Sequence, residues 1–145
     1  MGDDGVGVRV ARELASRLPD TGPAGPVELI EGDTAGMALM PHVMGADRII
    51  FVDAFNVGDD PGSVYRMDPD AAGLTTMRSN TSHGVGIPYL ISVARLQGHW
   101  PEFIVYGIQV GDIMCGPDTL SPDVEKAVPD VVEMVVADVI GESAN

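Results

Sequence analysis

Ile49-Ile50-Phe51-Val52 is an unbroken apolar run, closed by Asp53. In an extended chain successive side chains point to opposite faces, so this strand is apolar on both. Such a strand belongs in the centre of a sheet, covered above and below by helices. The rest of the sequence therefore has to supply two helical layers.

The flanking segments meet that requirement. Val6, Val8, Val10, Ala11, Leu14 and Leu18 predict one buried side of a first helix, with Asp3 or Asp4 placed to cap it. Pro19-Asp20-Thr21-Gly22-Pro23 ends that helix, and Val27-Glu28-Leu29-Ile30-Glu31 reads as a short strand. The loop Gly32-Asp33-Thr34-Ala35-Gly36 leads to a second helix over residues 37–44. Ser63-Val64-Tyr65-Arg66-Met67 alternates and predicts an antiparallel edge strand, and the polar stretch 75–82 reads as a loop. Ile87, Leu90, Ile91, Ala94 and Arg95 recur at helical spacing within 84–96, with Pro88 in the first turn, where a missing N–H costs little. Residues 103–108 form another buried strand. Ser121 and Pro122 then open a last helix whose core face is Val124, Val128, Val131, Val132, Val135, Val136 and Val139. Strands alternating with helices predict an α/β fold, a three-layer α/β/α sandwich with a mixed, mainly parallel sheet.

At 145 residues, 45% of them hydrophobic, the chain is long enough for a self-sufficient core and is read as one domain over residues 1–145. A formal net charge of −14 excludes a nucleic-acid binder, which needs a basic face, and repels anionic membrane surfaces. The fitting partner is neutral, basic or carries a metal cation. A single cysteine, Cys115, makes no internal disulfide, the first residues lack the features of a signal peptide, and no apolar run approaches the roughly 18 residues of a membrane span. These features predict a soluble, cytoplasmic protein.

Ligands of open α/β sheets bind beyond the carboxyl ends of the strands. Asp53 stands at such an end, Asp3 and Asp4 at the mouth of the first helix, and His83 at the mouth of the helix beginning near Gly84. Two carboxylates and one imidazole converging on a cleft suit a divalent metal, nickel or zinc by the presence of imidazole. Each residue also has a plainer reading. Asp3 and Asp4 serve equally as helix caps, Asp53 as a hydrogen bonder ordering the loop after it, and His83, taken alone, as an ordinary helix-start residue. His42 and His99 read as surface or packing histidines, and Cys115 has no basic neighbour in sequence to make it a nucleophile. Gly5 and Gly7, Gly32 and Gly36, and Gly84 and Gly86 mark close backbone approaches at the same edge.

Six segments occur in one order: Gly2-Asp3-Asp4-Gly5-Val6-Gly7, Glu31-Gly32-Asp33-Thr34-Ala35-Gly36, Val52-Asp53-Ala54, Ser82-His83-Gly84-Val85-Gly86, Gly107-Ile108-Gln109 and Leu120-Ser121-Pro122-Asp123-Val124. Each is weak alone. As an ordered set spanning nearly the whole chain they resemble the hydrogenase maturation endopeptidases.

The resemblance implies an endopeptidase that removes the C-terminal extension of the nickel-iron hydrogenase large-subunit precursor after nickel insertion. It implies metal-assisted peptide hydrolysis, with Asp4, Asp53 and His83 as the metal-contacting and catalytic residues and nickel carried by the substrate. The first acidic position is often Glu in that family, so Asp4 is one methylene shorter. Members also carry a hydrophobic strand and a Gly-x-Gly-Asn turn ahead of the Asp-Asp motif, so the expectation is a start upstream of Met1, with a strand of about 5–6 residues preceding it. Other readings stand beside this one: a non-catalytic nickel-dependent binding module for immature hydrogenase, an inactive truncated relative, and a small α/β hydrolase with an Asp nucleophile.

Overall fold

A computed structural model describes residues 5–32, 36–74, 86–111 and 119–141. Helix α1 spans Val6–Leu14 and is followed by a minimal antiparallel hairpin, β1 (Thr21–Gly22) and β2 (Gly25–Pro26). A 3-10 turn at Gly36–Leu39 runs into α2 (Met40–Met44). Strands β3 (Arg48–Phe55) and β4 (Val64–Met67), helix α3 (Ile87–Leu96), strand β5 (Glu102–Gln109) and helix α4 (Pro122–Ile140) complete the order.

Strands β3, β5 and β4 are neighbours in that order. Glu102 N–H donates to Asp47 O at one end of the first pairing and Val110 N–H to Phe55 O at the other, both at 2.9 Å, so β3 and β5 run in the same direction. At the second pairing Gln109 N–H donates to Ser63 O at 2.8 Å and Gly62 N–H to Gln109 O at 2.9 Å. The end of β5 thus meets the start of β4, and the two are antiparallel. The fold is α/β with a mixed sheet, and β4 is the antiparallel edge strand that its alternation predicts.

Three expectations are corrected. Among the described residues β5 takes the middle position and β3 does not; Phe103–Gln109 are buried without interruption, whereas β3 is half-buried along its length. An apolar run reports which faces are covered and is silent about which strands lie on either side. Residues 27–31 lie outside the described strands, with the Val27 N–H donating to Asp20 O at 2.8 Å and Leu29 exposed. Helix α1 ends at Leu14 in a turn where the Arg17 and Leu18 N–H groups both bond Leu14 O, so Leu18 lies beyond the helix, and its N-cap position belongs to Gly5 rather than to an aspartate.

The chain divides into two compact units. The first comprises Met1–Glu31, Val52–Val64 and Gly107–Asn145. Within it α1 packs on α4, burying Val6, Val10, Ala11 and Leu14 on one helix and Val124, Ala127, Val128, Val131, Val132 and Val135 on the other. Each fully buried valine contributes about 1.5 kcal/mol of transfer free energy. Asp138, 1% exposed, completes that face of α4 where the pattern had predicted only valines. Arg9 clasps both Glu125 oxygens at the rim of the helix pair. Arg17 bonds Glu133 and holds its carboxyl below the usual range, chiefly through that hydrogen bond; both side chains are solvated, so the pair contributes little.

The second unit comprises Gly32–Phe51 and Tyr65–Tyr106. Its core includes Ile87, Leu90, Ile91 and Ala94 of α3, the helix face that their spacing predicts, with α3 packed on α2. The rings of Phe51 and Phe103 stack with centroids 6.0 Å apart. Arg95 forks onto both Asp70 oxygens at 2.7 and 2.8 Å and lies over the Trp100 ring. His99 packs as a structural histidine: its Nε2 lies 3.1 Å from Val43 O and 2.8 Å from Ala46 O, at the end of α2. Both partners are carbonyls, so Nε2 carries the proton and donates. His99→Ala leaves those carbonyls without this donor, an expected loss of about 1 kcal/mol, or roughly 2–4 °C in melting temperature for a chain of this size. An unchanged calorimetric melt removes that role.

Candidate active site

The site is built from the strand that carries Asp53. Strand β3 continues two residues beyond Asp53, to Phe55, and Asp53 is the one exposed residue within it. The carboxylate therefore stays in water, and the desolvation cost that a buried strand end would impose does not arise. Its Oδ1 accepts the Ala54 N–H at 2.8 Å, a bond that fixes the head group beside its own backbone. Ala54 is itself within β3, so this bond is local to the strand rather than to the loop after it, and Asp53 stays exposed.

Helix α1 reaches the same place. A Cβ built on Gly7 would lie 2.6 Å from Val52 O, 3.4 Å from Val52 C and 3.7 Å from Asp53 Cα. Only glycine lets the first turn of α1 rest directly on the strand backbone at Asp53. The close approach that Gly5 and Gly7 announce in the sequence is thus real at Gly7, and what it approaches is the candidate catalytic strand.

Behind Asp53 the chain is held by the end of β5. Gln109 is 2% exposed. Its Oε1 accepts the Val57 N–H at 2.9 Å and the Asp59 N–H at 3.4 Å. Its Nε2 donates to Asn56 Oδ1 at 3.1 Å and to Val110 O at 3.0 Å. Sequence reading gave Gln109 only as part of a motif and assigned it no task. Nothing in periodicity marks it, since a glutamine inside a buried strand looks like any polar interruption.

Asp4 and His83, the other two predicted site residues, lie outside the described residues, as do Asp3, Gly84 and Cys115. Among the described residues no three His, Cys, Asp or Glu side chains converge on a point that would hold a metal ion. No helix among them is long and apolar enough to cross a membrane.

The sequence model of the family described as hydrogenase maturation protease matches residues 8–138. The chain belongs to the hydrogenase maturation protease family. Membership of this peptidase family agrees with what the six ordered segments imply. The hydrogenase expression/formation protein HupD of Bradyrhizobium diazoefficiens is 29% identical over 136 residues, which cover 91% of this chain and 68% of that protein. The hydrogenase 2 maturation protease of Escherichia coli is 26% identical over 93% of this chain and 81% of its own length. The solved structure of the hydrogenase maturating endopeptidase HybD from Escherichia coli superposes with a TM-score of 0.81 at 27% identity, covering 99% of this chain and 87% of that one. The chain spans about two thirds of the length of the HupD proteins of Bradyrhizobium diazoefficiens and Rhizobium leguminosarum and of the HoxM protein of Cupriavidus necator.

Proposed function

We propose that this protein is an endopeptidase of hydrogenase maturation, acting on the C-terminal tail of a nickel-iron hydrogenase large-subunit precursor once nickel is in place. One observation carries the reading: a solvent-facing carboxylate, Asp53, near the carboxyl end of a parallel strand, with the first turn of α1 pressed against it at Gly7. Family membership supports the class of reaction, and the site chemistry supports the choice of residues.

The donor set fits a divalent cation. Asp53 offers an exposed anionic oxygen, Asp4 lies three residues before Gly7 in sequence, and His83 adds the borderline nitrogen donor that nickel accepts. We assign these three residues to contact with nickel seated in the substrate. Bound there, a divalent cation supplies Lewis-acid polarisation of the scissile carbonyl and a more acidic water. Asp53 takes the proton of that water, and Asp4 and His83 serve as ligands of the cation that polarises the carbonyl. We place the reaction in the cytoplasm, where nickel insertion precedes it.

The deciding experiment incubates this protein with nickel-loaded and with nickel-free precursor and weighs the large subunit afterwards. The expected result is loss of the tail peptide from the loaded precursor alone. An intact subunit in both arms overturns the peptidase reading, and cleavage in both arms removes nickel from the mechanism.

A further inference from the structure

The segment Gly107-Ile108-Gln109 is unexplained by the proposed chemistry, yet both of its outer residues act on the chain that follows Asp53. A Cβ on Gly107 would lie 2.8 Å from Phe55 Cγ and 2.9 Å from a ring Cδ, so glycine opens the space that the Phe55 ring fills. The Phe55 carbonyl accepts the Val110 N–H at 2.9 Å. Gln109 then takes the next residues through both ends of its amide. Residues 55–59 are thereby tied to 107–110 by ring packing, one backbone bond and three side-chain bonds, while the fourth bond of the amide, to Val110 O, anchors it on its own strand.

The orientation of that amide is determined by its partners. Val57 and Asp59 offer only backbone N–H groups and Val110 offers only a carbonyl, so a flipped amide would set like against like on both sides. All four hydrogen-bonding positions of the side chain are used, and Gln109 itself is 2% exposed. A buried polar group satisfied at every position defines one arrangement of the backbone around it.

We propose that Gln109 is a positioning residue for the catalytic carboxylate: by clamping Asn56, Val57 and Asp59 it fixes the strand end from which Asp53 is presented. The inference rests on the assignment of Asp53 to catalysis. A carboxylate bonded to the N–H of the next residue points where the backbone points, and the backbone on its far side is held by Gln109. Without the clamp, Asp53 keeps its charge and exposure but loses its fixed direction. A reaction that depends on orientation then slows, while substrate affinity, which draws on many contacts, is kept.

Gln109→Met tests this, because the two side chains have similar volume and methionine retains the packing of β5 while removing all four bonds. Gln109→Glu keeps the accepting oxygen for Val57 and Asp59 and loses both donors. Two measurements are made on each variant. Amide hydrogen exchange of the protein alone reads the clamp: Ala54, Val57 and Asp59 are expected to exchange at least tenfold faster in Gln109→Met, with buried amides of α4 unchanged. Processing kinetics on the nickel-loaded precursor read the consequence: kcat is expected to fall at least tenfold with KM within threefold, and Gln109→Glu to lie between Met and wild type. Unchanged exchange at Ala54, or a full kcat in either folded variant, overturns the proposal. If Gln109→Met does not fold, Gln109→Glu decides by the same two readings. Should wild type cleave no precursor, the proposed function fails, and the exchange data still judge the clamp.

Discussion

Asp53→Asn is expected to abolish precursor processing and leave the fold intact. Asparagine has the size and shape of aspartate, and its Oδ1 still accepts the Ala54 N–H. What it lacks is the negative charge that attracts a cation and the basicity that takes a proton from water. General-base contributions run to about 10²–10⁴-fold in rate, and a loss of that size is the expectation here. Stability should change by no more than about 0.5 kcal/mol, because Asp53 is exposed. The matched control is Asp130→Asn, an exposed position on α4 with the same change in net charge. It should process normally. The measurement is the mass of the large subunit after incubation with nickel-loaded precursor, together with a thermal melt of each variant. Normal cleavage by Asp53→Asn removes Asp53 from the mechanism; loss of cleavage in Asp130→Asn as well would attribute the effect to overall charge.

Gly7→Ala sets two physical effects against each other, and their magnitudes decide. Glycine inside a helix costs about 1 kcal/mol relative to alanine, so propensity predicts a more stable protein. The contact predicts the opposite. A methyl group 2.6 Å from Val52 O meets backbone, which has no rotamer to move aside, so α1 or β3 must shift. Forced repacking of this kind costs about 1–3 kcal/mol. The contact term reaches further than the propensity term, since it adds displacement at Asp53 itself, and catalysis is sensitive to misplacements of about 1 Å. The expected result is a lower melting temperature by several degrees and processing reduced more than tenfold. A raised melting temperature with wild-type processing would show that α1 does not rest on this strand.

Much of this was legible in the sequence, for identifiable reasons. The spacing of Ile87, Leu90, Ile91 and Ala94 predicted the buried face of α3, and Pro88 lies in its first turn as expected. Ser121 and Pro122 marked the start of α4, and the alternation in Ser63–Met67 marked an edge strand. These are local signals, in which the residue carries the information itself. The failures share the opposite character. That β5 rather than β3 takes the middle of the described sheet depends on which strands pair, and a hydrophobic run is blind to that. Residues 27–31 have strand composition, but a ladder needs a neighbour, and neighbours are not written in composition. For the site, Asp53 was visible because a charge closing an apolar run is conspicuous. Gln109 was not, because its meaning lies in Asn56, Val57 and Asp59, 50 to 53 residues earlier in sequence.

Helix α4 carries one more consequence. Seven of its residues are valine, Val124, Val128, Val131, Val132, Val135, Val136 and Val139, and Pro129 interrupts its interior. Branching at Cβ restricts side-chain rotamers against the preceding turn, and proline removes a backbone donor. As a free peptide this stretch has a weaker helical preference than its caps alone suggest. Packing on α1 adds the stabilisation that its composition lacks. The C-terminal part of the chain therefore holds a conflict between local preference and final structure, resolved only when the partner helix is in place. Until that contact forms, the same valines are an open invitation to intermolecular strand pairing, so the docking of α1 guards the nascent chain against aggregation as well as completing the fold.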